Sequence, residues 1–310
     1  MLQFIARKLA SMVLTVLAVS ILIFVLLEMN GAGVAGKVLG PYATDEQRML
    51  WLEANGYLRP AFVRYFEWLG RALVGDFGES LRFKVPVAEI LMRRLSNTAV
   101  LAFWAMLFIV VLGVVFGIIA GMREGSPTDR TLTTLAVVTT SVPEFASAVL
   151  LTSLFVHQLH WLPGTSGMTT GFDPKQLILP TAVLVLYGFG YITRMTRASM
   201  VEVMQQPYIR TATLKGLPRR KVILGHALRN ALIAPFTVIV LQINWLLSGV
   251  VVVEYCFSYK GFGALVLEAA LNQDIYLLQG CAMVAVLIAV VTQVIADIGY
   301  TYLNPRISIK

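Results

Sequence analysis

The sequence is poor in charge and in the residue types that build metal and catalytic sites. Charged residues make up 14% of the 310 residues, and there are only two cysteines and three histidines. Soluble domains usually carry about 25% charged residues. Hydrophobic residues reach 57%, and the mean hydropathy is +0.75. This composition excludes an ordinary soluble globular chain and indicates a membrane protein.

The motifs of several enzyme classes are absent. No lysine precedes serine or threonine, which excludes the phosphate-binding GxxxxGK[ST] loop, and neither H-E-x-x-H nor G-x-S-x-G occurs. We therefore predict no catalytic residue, no bound cofactor and no metal, so any ATP must be hydrolysed by another chain. Cys256 and Cys281 are expected to be buried reduced thiols. His157 and His160 lack a nearby third ligand and favour an interfacial pair over a metal site.

Six apolar runs are long enough to cross a bilayer: residues 9–27, 98–120, 133–156, 177–193, 231–253 and 279–303. A spanning helix needs about 17–25 residues, and runs of this length in hydrocarbon must be helical. The first run is longer than the apolar core of a cleaved signal peptide, so it is predicted to remain as a transmembrane helix. The predicted fold class is an all-α integral membrane protein with six transmembrane helices.

The distribution of charge sets the orientation. If the N-terminus is cytoplasmic, the inner segments 1–8, 121–132, 194–230 and 304–310 carry a net charge of +11, and the outer segments carry −1. Short cytoplasmic loops are enriched in Lys and Arg, so both termini are predicted to be cytoplasmic. The net charge of +8 is then explained by topology, which argues against nucleic-acid binding.

The predicted organisation has four parts. Residues 1–27 form a cytoplasmic tip and first span, 28–97 an extracytoplasmic segment, 98–303 a five-helix core containing the inner loop 194–230, and 304–310 a cytoplasmic tail. In the outer segment, Thr44 is a predicted helix N-cap, and aromatic residues at helical spacing predict a helix over 60–73. The glycines at its start are expected to interrupt helical structure: Gly31, Gly33, Gly36 and Gly40.

The inner loop 194–230 holds eight basic residues and one acid. Pro207 suits the first position of a helix, and Gly216 suits the left-handed position that ends one, with Lys215 in its last turn. Pro218 is predicted to start a second helix at its first position. Two interpretations are open: an ordinary positively charged inner loop, or a jointed pair of helices on which a partner docks.

A resemblance favours the second interpretation. Arg210-Thr-Ala-Thr-Leu-Lys-Gly216-Leu217 and the following residues 226–232 (HALRNAL) resemble the EAA loop of permease subunits of binding-protein-dependent ABC importers, dipeptide/oligopeptide branch. The similarity is collinear over nearly the whole chain. Other matching motifs are residues 40–44 (GPYAT), 75–78 (GDFG), 94–98 (RLSNT), 141–143 (SVP), 161–163 (WLP), 251–254 (VVVE) with Phe257-Ser258, Asp297-x-x-Tyr300 and Pro305-Arg306.

The resemblance implies a type I ABC importer permease fold and a short coupling helix that sits in a groove of a cytoplasmic ATPase. The implied coupling residues are Pro207, Tyr208, Ile209, Arg210, Thr211, Ala212, Lys215, Gly216 and Leu217. It also implies a second, homologous permease, hence a heterodimer, two ATPase domains that hold ATP and Mg, an extracytoplasmic solute-binding protein, and a place in the bacterial inner membrane.

Some positions depart from the family pattern, chiefly Pro207, Thr213, Pro218, Ala234-Pro235, Glu144 and Tyr259-Lys260. A charged residue within a span is costly and by default suggests function, so Glu144 is a candidate for lining the pathway; a polar helix face is the alternative. In the fifth span, Gln242, Asn244 and Ser248 either line the pathway or bond helix to helix. Asp297 is expected to anchor the inner end of the last span.

The third outer loop is predicted to fold back over the mouth of the pathway, because Gly261 and Gly263 permit a tight turn. Its outer gate candidates are Glu254, Tyr259, Gly261 and Gly263. The predicted function is uptake of di- or oligopeptides through half of an ATP-driven pathway, with nickel chelates or oligosaccharides as alternative solutes. An ion-coupled secondary transporter and a membrane sensor or scaffold are the rivals from other classes.

Overall fold

The computed structural model describes residues 2–28, 31–40, 42–168, 173–247 and 250–303. They are mostly helical, and their β-structure is one isolated bridge between Glu79 and Pro86. The helices are α1 (Leu2–Glu28), α2 (Gly31–Leu39), α3 (Asp45–Ala54), α4 (Ala61–Leu73), α5 (Val87–Met122), α6 (Pro127–Ser141), α7 (Glu144–Thr152), α8 (Pro174–Met204), α9 (Pro207–Leu214), α10 (Arg219–Val222), α11 (Leu228–Ala231), α12 (Ile233–Leu247), α13 (Val251–Cys256), α14 (Phe262–Leu271) and α15 (Ile275–Leu303).

Four helices among the described residues are long and apolar enough to span a membrane by themselves: α1, α5, α8 and α15. Two bent pairs, α6 with α7 and α10–α11 with α12, bring the number to as many as six if each pair is one span. The chain is therefore a multi-pass membrane protein.

The prediction of one continuous helix over 133–156 is wrong. α6 and the segment Glu144–Gln158 meet at an angle of 99°. Val142 is extended, with ψ 124°, and Pro143 follows with ψ 145°. A residue before proline is driven out of the helical region, and proline lacks the N–H that would continue the ladder. Pro143 thus causes a sharp break that hydropathy alone did not indicate. Beyond α7, the segment continues as a π-helix over Ser153–Gln158.

The predicted fifth run, 231–253, is also divided. α12 ends at Leu247 and α13 begins at Val251, so one helix through the run is wrong. The segment before α12 consists of α10, a π-helix over Ile223–Ala227, and α11. It meets α12 at a bend of 52°. Ser248 lies outside the described residues, and so do Pro305, Arg306 and the predicted tail 304–310.

In the outer segment, the structure confirms the predicted N-cap at Thr44 and corrects the prediction that glycines interrupt helical structure. Thr44 accepts the N–H of Gln47, whose side chain accepts the N–H of Thr44, so the N-cap of α3 is a reciprocal capping box. The helix predicted over 60–73 is α4. The glycines of residues 31–36 do not interrupt the chain, because they lie within α2, where Val34 and Ala35 are buried. Only Gly40, with φ +85°, ends that helix.

The chain divides into two compact units. The first comprises mainly residues 1–98 and 260–294, and the second mainly residues 99–259. In the first, α4 packs on α1 through Trp68 and Phe24, and the hydroxyls of Ser20 and Tyr65 are 2.8 Å apart. The exposed rings of Phe62 and Phe66 lie outside this core. The aromatic residues of α4 therefore divide between the packing on α1 and the surface.

In the second unit, α8 is the central helix, packed by α6, α7 and α12. It lies against α5 at a row of glycines spaced four apart. A Cβ on Gly117 would lie 2.4 Å from the Thr196 Cβ, and one on Gly121 would lie 2.6 Å from the Met200 Cβ. Small residues at this spacing let two membrane helices approach closely. This contact holds α8, whose C-terminal end leads into the inner loop.

Candidate coupling segment and pathway residues

The helix–joint–helix prediction for the inner loop holds in outline. Pro207 occupies the first turn of α9, and Gly216 takes the left-handed conformation, with φ +76°, just past its end. Pro218 is not the first helical residue as predicted: its ψ of 140° makes it the extended N-cap of α10, which begins at Arg219. The carbonyl of Pro218 accepts the N–H of Lys221 at 2.8 Å, so the start of the second helix moves by one residue.

Helix α9, the predicted coupling helix, has two faces. Ile209 and Ala212 are 4% and 6% exposed and pack in a cluster with Met200 and Val203 of α8. Leu217 packs at the edge of the same cluster. Of the predicted coupling residues, Ile209 and Ala212 therefore fasten the helix to its own unit instead of facing outward.

The opposite face of α9 and its C-terminal end are open to solvent. Tyr208 and Leu214 are 40% and 79% exposed. Other predicted coupling residues are exposed with them: Pro207, Arg210, Thr211, Lys215 and Gly216. Such a surface, which combines an exposed apolar side chain with exposed basic groups, is suited to contact with another protein.

α9 is also tied to the segment that leads into α12. The Asn230 side-chain amide donates to the Tyr208 hydroxyl at 3.0 Å. Val222, Ile223, Ala227 and Ala231 enter the same buried cluster as Ile209. Helix α9 is therefore in contact both with α8, which precedes it, and with the segment of α10 and α11, which follows it.

The surface around this helix is strongly basic. All six basic residues of 207–230 are exposed, and in the described part of the chain none of them makes an ion pair; they are Arg210, Lys215, Arg219, Arg220, Lys221 and Arg229. Three of them lie in α10, where positive charge opposes the helix dipole. Helix stability does not account for them, whereas an acidic partner surface or lipid headgroups would.

A second contact lies towards the C-terminal end of α8. Arg197 donates through Nε and a terminal nitrogen to both carboxylate oxygens of Asp129, at 2.9 and 2.8 Å. Asp129 also accepts the N–H of Gly125 and the hydroxyl of Thr133. Bidentate pairs of this kind are strong and directional, so the first turn of α6 is bound to α8.

Glu144, the first pathway candidate, is half-buried at the first turn of α7, directly after the break at Pro143. Its carboxylate is within electrostatic reach of the Tyr187 phenol and the Cys256 thiol. The Tyr187 ring lies 5.4 Å from the ring of Trp245. The structure thus groups one acid with aromatic side chains from α8 and α12.

The other pathway candidates, which lie in the fifth apolar run, differ in their surroundings. The side-chain amide of Gln242 donates to the Gly188 carbonyl of α8 at 3.0 Å. Of the two interpretations of Gln242, pathway lining and helix–helix bonding, the structure shows the second. Asn244 is half-buried on the same helix. Of Asp297, only its place in α15 is described.

The outer gate candidates are buried. Glu254 and Tyr259 are 0% and 2% exposed. Burial, and secondly the Glu254 carboxylate, raise the pKa of Tyr259. The predicted glycine turn is wrong: Gly261 precedes α14, Gly263 lies within it, and the left-handed residue is Ser258, with φ +53°.

The exposure of Cys256 and of Leu214 differs from what the sequence predicts. Cys256 is exposed, so its predicted burial is wrong, while Cys281 is buried as expected. Leu214 was not among the predicted coupling residues although it is the most exposed apolar residue of α9. Helical spacing from buried Ile209 and Ala212 was the signal that places it on the outer face.

Several candidate spans and an exposed, basic surface held on a buried cluster define a multi-pass membrane protein with a face open to a partner. Residues 113–309 match the family described as "Binding-protein-dependent transport system inner membrane component". The chain belongs to this family. Membership implies partnership with a separate ATPase and a binding protein.

Named relatives resemble the chain from end to end. The "Probable peptide ABC transporter permease protein y4tP" of Sinorhizobium fredii is 35% identical over 98% of both chains. The "Oligopeptide transport system permease protein AppB" of Bacillus subtilis is 32% identical over 99% of both. The "Glutathione transport system permease protein GsiC" of Escherichia coli K12 is 33% identical over 100% of both. The resemblance to the peptide branch is confirmed.

Two solved structures share the fold. One, described as an amino acid ABC transporter with histidines, has a TM-score of 0.54, covering 69% of this chain and 94% of its own at 12% identity. The other, the MetNI methionine ABC transporter in inward-facing conformations, has a TM-score of 0.55, covering 69% and 96% at 15% identity. At this identity, they establish the permease fold alone.

Proposed function

We propose that this chain is one half of the translocation pathway of an ATP-driven importer for short peptides. The observation that carries the proposal is the end-to-end similarity to permeases named for peptide, oligopeptide and glutathione transport. The exposed face of α9 supports it, because an importer of this kind requires a surface that receives movement from a separate ATPase.

In the proposed mechanism, α9 docks on the ATPase, with Tyr208, Arg210, Leu214 and Lys215 as the contacting side chains and Gly216 as the joint. Closure of the ATPases displaces α9. The movement passes through the buried cluster around Ile209 and through Asn230 to the spans on either side. ATP shifts the conformation only if the two states of the permease fit the ATPase differently.

The remaining parts of the assembly belong to the same proposal. The two bent pairs count as single spans, which makes six, and both termini lie in the cytoplasm of a bacterial inner-membrane protein. A second, homologous permease completes the pathway as a heterodimer, and ATP and Mg are bound by the partner ATPases, with no cofactor in this chain. Glu144, Asn244 and Ser248 contribute to the pathway wall. The buried outer gate candidates support that wall from behind: Glu254, Tyr259, Gly261 and Gly263.

The experiment is reconstitution. This chain is co-expressed with the second permease and ATPases of its system and placed in vesicles with the binding protein and ATP. Accumulation of labelled di- and tripeptides, absent without ATP, is expected. Failure of ATPase subunits to co-purify would contradict the importer, and uptake of only non-peptide solutes would contradict the peptide assignment.

A further inference from the structure

The outer segment contains a cavity with no role in the mechanism above. It has a volume of about 600 Å³ and lies wholly within the unit of residues 1–98 and 260–294. Its walls come from the stretches 51–59, 64–71 and 76–84, with Phe24, Val38 and Tyr276. Small-molecule sites typically measure about 300–1,000 Å³, so the cavity has the size of a binding site.

The wall carries charges of both signs. Its cations are Arg59, Arg64, Arg71 and Lys84, and its acids are Glu67, Asp76 and Glu79. Arg59 and Glu67 neutralise each other across 2.9 Å. In the part of the chain that the structure describes, Arg71, Lys84, Asp76 and Glu79 form no ion pair. Two cations and two carboxylates thus remain available in one cavity.

Aromatic rings line the rest of the wall. Trp51 and Tyr57 have ring centroids 5.3 Å apart, and the Arg64 guanidinium lies over the Tyr57 ring at 4.8 Å. Trp68, Phe77 and Tyr276 also line the cavity. Rings of this kind receive apolar or aromatic side chains and orient cations.

The stretch 76–84 is held in place before any ligand arrives. Asp274, which is fully buried, accepts the Ser80 hydroxyl at 2.5 Å and the Arg82 N–H at 3.1 Å. The Asp76 carboxylate accepts the N–H of Gly78 at 3.0 Å, and Gly78 is left-handed, with φ +82°. A fixed wall lowers the entropy lost when a ligand binds.

We propose that this cavity binds a short zwitterionic peptide on the outer side of the membrane. Arg71 and Lys84 take its carboxylate, Asp76 and Glu79 take its ammonium group, and the rings take its side chains. Free carboxylates disfavour a polyanion, and charges of both signs disfavour a purely apolar ligand. The site rests on the proposed function, because it would receive peptide released by the binding protein.

The probe is radiolabelled trialanine, added to the purified complex of both permeases and the ATPases without the binding protein. Binding is compared with that of C-terminally amidated trialanine. The variant R71Q/K84Q removes two exposed cations of the wall and is expected to leave the fold intact. R93Q is the matched control, since Arg93 is exposed and does not line the cavity. ATP-driven uptake of trialanine by the wild-type importer is measured in parallel.

Saturable binding by the wild type is expected, weakened at least about tenfold by R71Q/K84Q and by amidation and unchanged by R93Q. Absence of saturable binding in an importer that takes up trialanine would overturn the site while leaving the proposed function standing. The site would also be overturned if the wild type binds no trialanine and R71Q/K84Q weakens attachment of the binding protein. The cavity would then be a protein-docking surface. Cavity binding without any ATP-driven uptake would support the site and contradict the proposed function.

Discussion

Arg197 of α8 donates to both carboxylate oxygens of Asp129, at 2.9 and 2.8 Å, and so joins the first turn of α6 to the helix that leads into α9. The Asp129 side chain is 4% exposed and that of Arg197 is 29% exposed. The pair is therefore largely shielded from water, and its loss is expected to affect the position of α8.

Asp129→Asn removes the charge but keeps the shape. Breaking a buried pair leaves the other charge uncompensated and costs about 3–5 kcal/mol, and the partial exposure of Arg197 lowers this to about 2 kcal/mol. We expect a lower Tm of the detergent-purified complex. In a double-mutant cycle with Arg197→Gln, the second change should cost little; additive losses would contradict the pairing.

Gly216→Val is expected to abolish most ATP-driven uptake while leaving the protein in the membrane. Gly216 has φ +76°, and a Cβ added there would meet open space, so the cost is backbone strain of about 1–2 kcal/mol and not collision. Gly216→Asn, which tolerates this conformation, should retain uptake. Gly225→Val is the control, because a Cβ added at Gly225 also meets open space but Gly225 has no positive φ. Equal uptake by the three variants would argue against the joint.

Leu214→Ser is expected to loosen the ATPase. The side chain is 79% exposed on α9, so its removal hardly affects folding but takes away apolar contact worth about 1–3 kcal/mol at an interface. The measurement is the fraction of ATPase retained on co-purification at several salt concentrations. Leu73→Ser, 76% exposed in the outer segment, is the control and should retain the ATPase fully.

Gly117→Ala is expected to destabilise the second unit. The added Cβ would lie 2.4 Å from the Thr196 Cβ and 2.7 Å from the Thr193 carbonyl oxygen, so α5 and α8 must separate. A cost of about 1–3 kcal/mol follows from overpacking, seen as a lower Tm and lower yield. Gly36→Ala in α2 meets nothing within 4 Å, and helix propensity favours it by about 1 kcal/mol. An unchanged Tm for Gly117→Ala would refute the close approach.

Cys256 should react with thiol reagents, and Cys281 should not, because the first is exposed and the second buried. Partial desolvation by neighbouring atoms, and secondly the Glu144 carboxylate, raise the pKa of the Cys256 thiol. The reactive thiolate is therefore scarcer than usual at neutral pH, and labelling should accelerate as pH rises towards the raised pKa. Glu144→Gln removes the electrostatic cause and should speed labelling at fixed pH. No change in rate would contradict the proximity of Glu144.

The helices α9 and α10 and the joint at Gly216 were largely predictable because their signals are local. The proline, the glycine and the helical spacing of α9 act through the backbone of neighbouring residues, and the structure has them within one position. The break at Pro143 was present in the sequence as well, but hydropathy averages over a window and does not measure an angle of 99°.

By itself, the sequence determined the membrane class, the apolar runs, the distribution of charge and the jointed inner loop, since each depends on composition or on residues close together in the chain. Only the tertiary structure decided which face of α9 is buried, that Gln242 bonds to Gly188, and that Asp274 braces a cavity wall 194 residues away at Ser80. Those relationships depend on helices distant in sequence meeting at particular rotations. No local pattern encodes such meetings, because they minimise the free energy of the packed chain as a whole.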